Sequence, residues 1–309
     1  MQIIAIVTSV LLASVGCDRA KCGVPKNYGN QLIVQGQDTA AGDWPWHAAI
    51  FHKNRGSTNY TCGGTVISNH FILTAAHCVI RANGYLLAPK NIFVRVGIHN
   101  LDEENPQFAQ KHHVEKIHKF QNFTKLVNDI GLIQLNSLIV FNDHVLPVCM
   151  NLTSNITGEI GAVVGWGLTE KDETFPELKK AMIPVIDPLI CLATNRALFG
   201  QTLSHDLFCA GYKNGTSVCN GDSGGGLVFK RGDKWFLGGI VSISQQRTDG
   251  SNKCYTEGYA AFVSVQYYLP WISANTGINF QYTGDNCGER KIKSRWPMRD
   301  GNEQETFHG

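Results

Sequence analysis

After its first 16 residues the 309-residue chain has no long apolar run, so nothing downstream reads as a membrane-spanning helix. Strong charge of either sign is also missing. The formal net charge is +2, which gives no general reason to expect nucleic acid or an acidic membrane as partner. No cysteines form a Cys-X-X-Cys pair, which argues against a zinc site. No internal repeat is visible, and no cofactor or metal is expected. What remains is ordinary globular composition: 43% hydrophobic, 17% charged, with 32 glycines. That suits one large β domain or two small ones.

The one apolar run opens the chain. MQIIAIVTSVLLASVG (1–16) ends in small residues and is too short to span a bilayer comfortably. It reads as a secretory signal peptide, cut after Gly16 or as late as Ala20, although no Lys or Arg precedes its apolar core. A soluble, secreted, extracellular protein is expected. Ten cysteines fit that compartment: Cys17, Cys22, Cys62, Cys78, Cys149, Cys191, Cys209, Cys219, Cys254 and Cys287. Five Asn-X-Ser/Thr sequons, at Asn59, Asn122, Asn151, Asn155 and Asn214, become candidate glycosylation sites and hence expected surface positions.

Residues 17–32 form a short polar lead-in, read as a propeptide or light chain. From 33 to 275 short β-type runs recur, among them NIFVRVGI (91–98), DIGLIQL (129–135), AVVGWG (162–167) and LGGIVSIS (237–244). Gly, Asn, Asp and Pro punctuate them, which is an all-β signature. VSVQYYLPWISAN (263–275) is expected to be a closing helix, with Pro270 arguing against a clean interior. Residues 276–309 turn polar and carry the basic run RKIKSR, and read as a poorly ordered extension.

Three stretches carry chemistry. LTAAHC (73–78) sets His77 beside Cys78, NDIGLIQL (128–135) puts Asp129 at the head of an apolar run, and CNGDSGGG (219–226) places Ser223 in a glycine-rich turn. Each alone has a structural explanation, but together they form a set. A serine hydroxyl needs a base within hydrogen-bond reach, and histidine titrates near the working pH. A buried carboxylate keeps the histidine in one tautomer and stabilises its imidazolium. Glycines let backbone N–H groups, here those of Gly221 and Ser223, face a developing oxyanion, where losing one donor costs roughly 3 kcal/mol.

With these motifs the chain resembles the trypsin/chymotrypsin-like serine endopeptidases over about residues 22–273. WPWHAAI (44–50), CGGTVIS (62–68), GWG (165–167), CAGY (209–212) and PWI (270–272) occur in that family's order with the three stretches above. The resemblance implies an all-β fold of two packed six-stranded antiparallel β-barrels with a short C-terminal helix and the site between them. It implies His77 as general base, Asp129 as orienting carboxylate and Ser223 as nucleophile. It also implies Cys22–Cys149, Cys62–Cys78, Cys191–Cys209 and Cys219–Cys254. Cys17 and Cys287 are left over. They pair with each other if the signal is cut before Cys17, and Cys287 is an odd thiol if the cut falls at Ala20.

By the same resemblance QLIVQG (31–36) is an activation junction, cut between Leu32 and Ile33, whose new ammonium pairs with Asp222. No basic residue precedes the cut, so a trypsin-like activator does not suit it. The base of the specificity pocket falls on Ser217, where a neutral hydroxyl offers a substrate cation no countercharge. Ser242, Ile243, Ser244 and Ala260 are the other expected substrate-binding residues, with Ser244 narrowing the mouth. Cleavage after apolar residues, Leu first and then Phe or Met, is expected. Chymotrypsin-like breadth and elastase-like narrowness both stay open. Since Leu32 fits this preference, the zymogen is expected to activate itself.

Partners are expected to be protein or peptide substrates and macromolecular protease inhibitors, in a digestive role or an extracellular, immune-type cascade. The competing reading is a catalytically silent homologue acting as a binding module. GIHNLDEENPQ (97–107) puts Ile98 where a calcium-binding loop would start with an acid. His112, His113 and His118 fit no metal spacing and read as surface residues.

Overall fold

The expected strands form where the β-branched runs lie. The computed structural model describes residues 22–26 and 37–280, apart from 55, 82, 104–106, 125–126, 169–171, 174, 204–205 and 252. The expected signal segment, the Leu32–Ile33 junction, Cys17, Cys287 and most of the C-terminal extension lie outside the described residues. A short β1 (Gln37–Asp38) leads in. Then come β2 (His47–Asn54), β3 (Ser57–Val66), β4 (Phe71–Thr74), β5 (Ile92–Val96), β6 (Gln110–Lys119) and β7 (Gly131–Leu135). These six close into one antiparallel barrel in the order β2-β3-β4-β7-β6-β5.

The second barrel uses β8 (Ile160–Gly165), β9 (Lys179–Ile186), β10 (Leu207–Ala210), β11 (Gly226–Arg231), β12 (Lys234–Ile243) and β13 (Ala260–Ser264). They run β9-β10-β13-β12-β11-β8, and the β8–β9 pairing closes the ring. β1 joins its outside, with Gln37 opposite Lys180 and Asp38 opposite Lys179. Closure pairs each barrel strand on both sides among the described residues, leaving only the two-residue β1 with an open side. Side chains fill both interiors. Leu132, Ile133 and Leu135 of β7 are fully buried, each stabilising the fold by roughly 1.5–3 kcal/mol.

Strand alternation corrects one expectation. His112 is buried, not on the surface, because it shares the inward face of β6 with Val114. Its Nδ1 meets Ser137 Oγ at 2.9 Å, and burial lowers its pKa. His113, one residue on, is exposed. Ile98 is likewise buried in the core.

Three helices decorate the barrels among the described residues. α1 (Pro188–Thr194) and α2 (Arg196–Thr202) start at the capping residues Asp187 and Asn195, whose side chains accept the N–H groups of Leu189 and Leu198. α3 (Val265–Thr276) closes the chain and continues through Pro270. Pro270 and Gln266, whose carbonyl loses its helical donor, are both exposed, so water can satisfy that carbonyl. The buried Val265, Tyr268, Leu269 and Ile272 hold the helix in place. Gly277 ends it with φ 72°, and Phe280, assigned from sequence to the extension, is fully buried in the core.

Candidate active site

Asp129 organises the site. It sits just ahead of β7 and is 2% exposed. One carboxylate oxygen, Oδ1, accepts the backbone N–H of His77 at 2.9 Å. The other, Oδ2, accepts His77 Nδ1 at 2.7 Å and the Ser242 hydroxyl at 2.7 Å. Three donors satisfy this buried carboxylate, and the imidazole is held with Nδ1 directed at it, which leaves Nε2 free to accept a proton. Burial works against the imidazolium, but the charge and hydrogen bond of Asp129 outweigh it and raise the His77 pKa above its ordinary value.

His77 rides on a short 3-10 turn, Ala76–Val79, between β4 and β5. The Cys62–Cys78 disulfide ties that turn to β3, and His52 Nε2 donates to the Cys78 carbonyl at 2.8 Å. On the far side of Asp129, the Tyr268 hydroxyl of α3 donates to Asp206 at 2.6 Å and lies 2.8 Å from Asn128 Oδ1. The closing helix therefore buttresses the Asp129 loop.

Ser223 comes to the same place from the other barrel. Its carbonyl accepts the Gly63 N–H at 2.8 Å and lies 3.7 Å from Sγ of Cys78, the residue after His77. The glycines make this approach possible. A Cβ on Gly224, at φ 79°, would fall 2.1 Å from Thr74 Oγ1, and one on Gly221, at φ 104°, 2.8 Å from the Gly167 Cα. The Gly221 and Ser223 amides flank Asp222.

Asp222 turns inward. Its carboxylate accepts the N–H groups of Gly167 and Cys219, each at 2.9 Å. Removal from water raises its pKa to about 6 despite those two bonds. It lies at a cavity of about 270 Å³ lined also by Val163, Val164, Leu168, Val218 and Lys180. Nearby, His47 is buried with no partner for Nε2 among the described residues, and desolvation lowers its pKa to about 3.

The expected pocket residues fall along two facing segments. The Ser217 hydroxyl donates to the Gly258 carbonyl at 3.3 Å, and that of Ser244 to the Val218 carbonyl at 3.1 Å. Ile243 packs against the cluster around Cys191 and Phe199. Ala260 is buried in β13 opposite Ala210, so Gly258, which the sequence reading passed over, is the residue beside Ser217. Tyr60 and His52 were also passed over, since an aromatic and a histidine inside β-runs give no signal of their own. Ser242 was read as a substrate contact, and its hydroxyl donates to Asp129. The disulfides Cys22–Cys149, Cys62–Cys78, Cys191–Cys209 and Cys219–Cys254 all form. Asn59, Asn122, Asn155 and Asn214 are exposed and Asn151 is half-buried.

Two closed barrels joined at a histidine, a buried aspartate and a glycine-flanked serine define the class of two-barrel serine hydrolases. The family comparison makes that class specific: the Trypsin family's sequence profile matches residues 33–272, and the chain belongs to this family of serine proteases. Among curated proteins it is 31% identical over 281 residues to phenoloxidase-activating factor 3 of Holotrichia diomphalia, covering 84% of this chain and 76% of that protein. It is 31% identical over 270 residues to clotting factor C of Tachypleus tridentatus and equally to Limulus clotting factor C of Carcinoscorpius rotundicauda. Each of those matches covers 81% of this chain but spans only 26% of the clotting factor.

Proposed function

We propose that the chain is a secreted serine endopeptidase made as a zymogen. The observation that carries this reading is the threefold hydrogen bonding of buried Asp129 beside the Ser223 turn. Ser223 attacks the scissile carbonyl while His77 takes its proton and later passes it to the leaving amine. Asp129 holds the imidazolium, and the Gly221 and Ser223 N–H groups meet the oxyanion. The four disulfides support an oxidising, extracellular setting. Among the described residues no helix is long and apolar enough to cross a membrane.

Activation is by a cut between Leu32 and Ile33, with the Ile33 ammonium entering the cavity at Asp222. Support comes from β1, which is anchored at Lys179 and Lys180, two residues that themselves line that cavity. Gln37 lies four residues on from Ile33, a reach of roughly 14 Å when extended. The apolar part of the lining, Val163, Val164, Leu168 and Val218, suits an Ile-Val terminus, and the half-buried Asp222 carboxylate would gain a charge partner when the ammonium arrives.

The specificity slot takes uncharged apolar side chains, Leu before Phe and Met, because Ser217 and Ser244 present hydroxyls rather than a carboxylate. This makes Leu32 a substrate of the enzyme itself. The names of the relatives favour a role in an extracellular proteolytic cascade with protein substrates and protease inhibitors as partners. The exposed sequons carry glycans. A fluorophosphonate probe tests the central reading: the processed chain is labelled at Ser223, whereas a silent homologue is not. Incubating the Ser223→Ala chain with a trace of active enzyme tests autoactivation by the appearance of a chain beginning at Ile33.

A further inference from the structure

We infer that Tyr60 is a positioning residue for the oxyanion-binding turn, acting through the carbonyl of Gly221. This rests on the endopeptidase reading of the site. Gly221 has φ 104° and no side chain, so local sterics do little to hold it. Its N–H lies in the peptide from Asn220, whose carbonyl accepts the Leu168 N–H at 2.9 Å, so its direction depends on how that peptide is set relative to the one that follows. That peptide is pinned at both ends. The Asp222 N–H donates to the Cys219 carbonyl at 2.9 Å, and the Gly221 carbonyl accepts the Tyr60 hydroxyl at 2.6 Å.

The donor is itself held. The Tyr60 ring packs edge-on to Phe51, centroids 5.9 Å apart, and to Trp166, at 5.5 Å. The Trp166 indole donates to the His99 carbonyl at 3.1 Å. β3 pairs Cys62 with Ile50 but Tyr60 with Phe51, a bulge that twists the strand where Tyr60 enters the junction. Burial, and then the negative charge of Asp222, push the phenol's ionisation well above its ordinary value, so it stays a donor throughout the working pH range. Tyr60 belongs to the first barrel and Gly221 to the second, so this bond sets the turn of one barrel against the frame of the other.

Tyr60→Phe removes the hydroxyl and keeps the ring contacts. In the processed enzyme kcat on a peptide amide falls about tenfold, the rate equivalent of one lost hydrogen bond, with KM within about twofold. Affinity for a peptide boronate, which forms a tetrahedral adduct, falls by the same roughly tenfold factor, and affinity for the cleaved product peptide does not. Hydrogen exchange in the segment 219–224 speeds up while β3 and the Trp166 segment keep wild-type protection. An unchanged kcat, an equal loss of product binding, or unaltered exchange in 219–224 overturns the inference. The exchange measurement needs no turnover. A wild-type chain that fails to react with fluorophosphonate sinks the endopeptidase reading, and exchange still decides the role of Tyr60.

Discussion

Cleavage ahead of Ile33 should change the stability of the fold, and by an amount the structure sets. Asp222 is the group concerned. In the uncut chain its pKa rises from 3.8 to about 6 through burial. At ~1.4 kcal/mol per pKa unit this is a cost of ~3 kcal/mol for carrying the charge. The folded state binds its proton more tightly than the unfolded chain. The cost is therefore absent below pH 3.8, grows as pH rises through about 6, and is full above that. An ammonium in the cavity offsets it. The offset persists until pH climbs through the raised pKa of the amino group, whose unfolded value is about 8. A Ser223→Ala chain, uncut or cut at a Leu32→Arg junction by added trypsin, isolates this effect from autolysis. Both forms keep the lead-in through Cys22–Cys149. Thermal melts from pH 4 to 9 should give the cut form a Tm higher by roughly 6–12 °C between pH 6 and 8, the shift ~3 kcal/mol produces in a domain of this size. The gap should close on the acid side as Asp222 protonates and on the alkaline side as the amine loses its proton. Equal melting of the two forms across pH 6–8 would refute the pairing.

Other expectations follow from the same contacts. His47, with a folded pKa near 3, is neutral in the fold but charges in the unfolded chain below pH 6.5. Its burial therefore costs nothing above pH 6.5 and destabilises progressively below it, by about 2 kcal/mol at pH 5. Urea unfolding of a His47→Phe chain should lose that part of the acid slope. The acid limb of kcat/KM should lie above pH 6.5, because Asp129 raises the His77 pKa and only neutral His77 can act as base. Ser242→Ala removes one of the donors to Asp129 Oδ2 and should lower kcat roughly tenfold with little change in melting temperature, measured on a Leu peptide amide. Ser217→Asp should move cleavage towards Lys and Arg substrates in a peptide-library profile, since a carboxylate then meets the substrate cation.

The sequence announced some of this architecture more clearly than the rest, for identifiable reasons. Short apolar, β-branched runs bounded by turn residues, such as those that became β5, β7, β8 and β12, are a local property, so the strands were legible. The motifs around His77, Asp129 and Ser223 were legible too, because the chemistry needs those residue types. Pro270 misled in part. Its cost is local, but the burial of Tyr268, Leu269 and Ile272 that offsets it is tertiary. His112 misled because polarity suggests solvent, whereas its register in β6 assigns it to the inner face. Gly258 beside Ser217 was not legible, because that contact joins segments 41 residues apart, whereas Ala260 pairs with Ala210 across β10 and β13.

Tyr60 shows most directly why contacts escape a linear reading. Nothing near it in the chain hints at Gly221, 161 residues away. The partnership arises because Gly63 and Gly225 let the barrels approach until a Cβ on Gly63 would lie 3.1 Å from Gly225. The Gly63 N–H then holds the Ser223 carbonyl, and Tyr60, three residues earlier on β3, meets the Gly221 carbonyl two residues before Ser223. One strand of the first barrel thus supplies both pins to the turn of the second. Loss of the Gly63 approach should loosen Tyr60 and Ser223 together. A Gly63→Ala chain should therefore show coupled loss of kcat and of exchange protection in 219–224, larger than Tyr60→Phe alone. If Gly63→Ala leaves that segment protected, the two barrels are not coupled through β3.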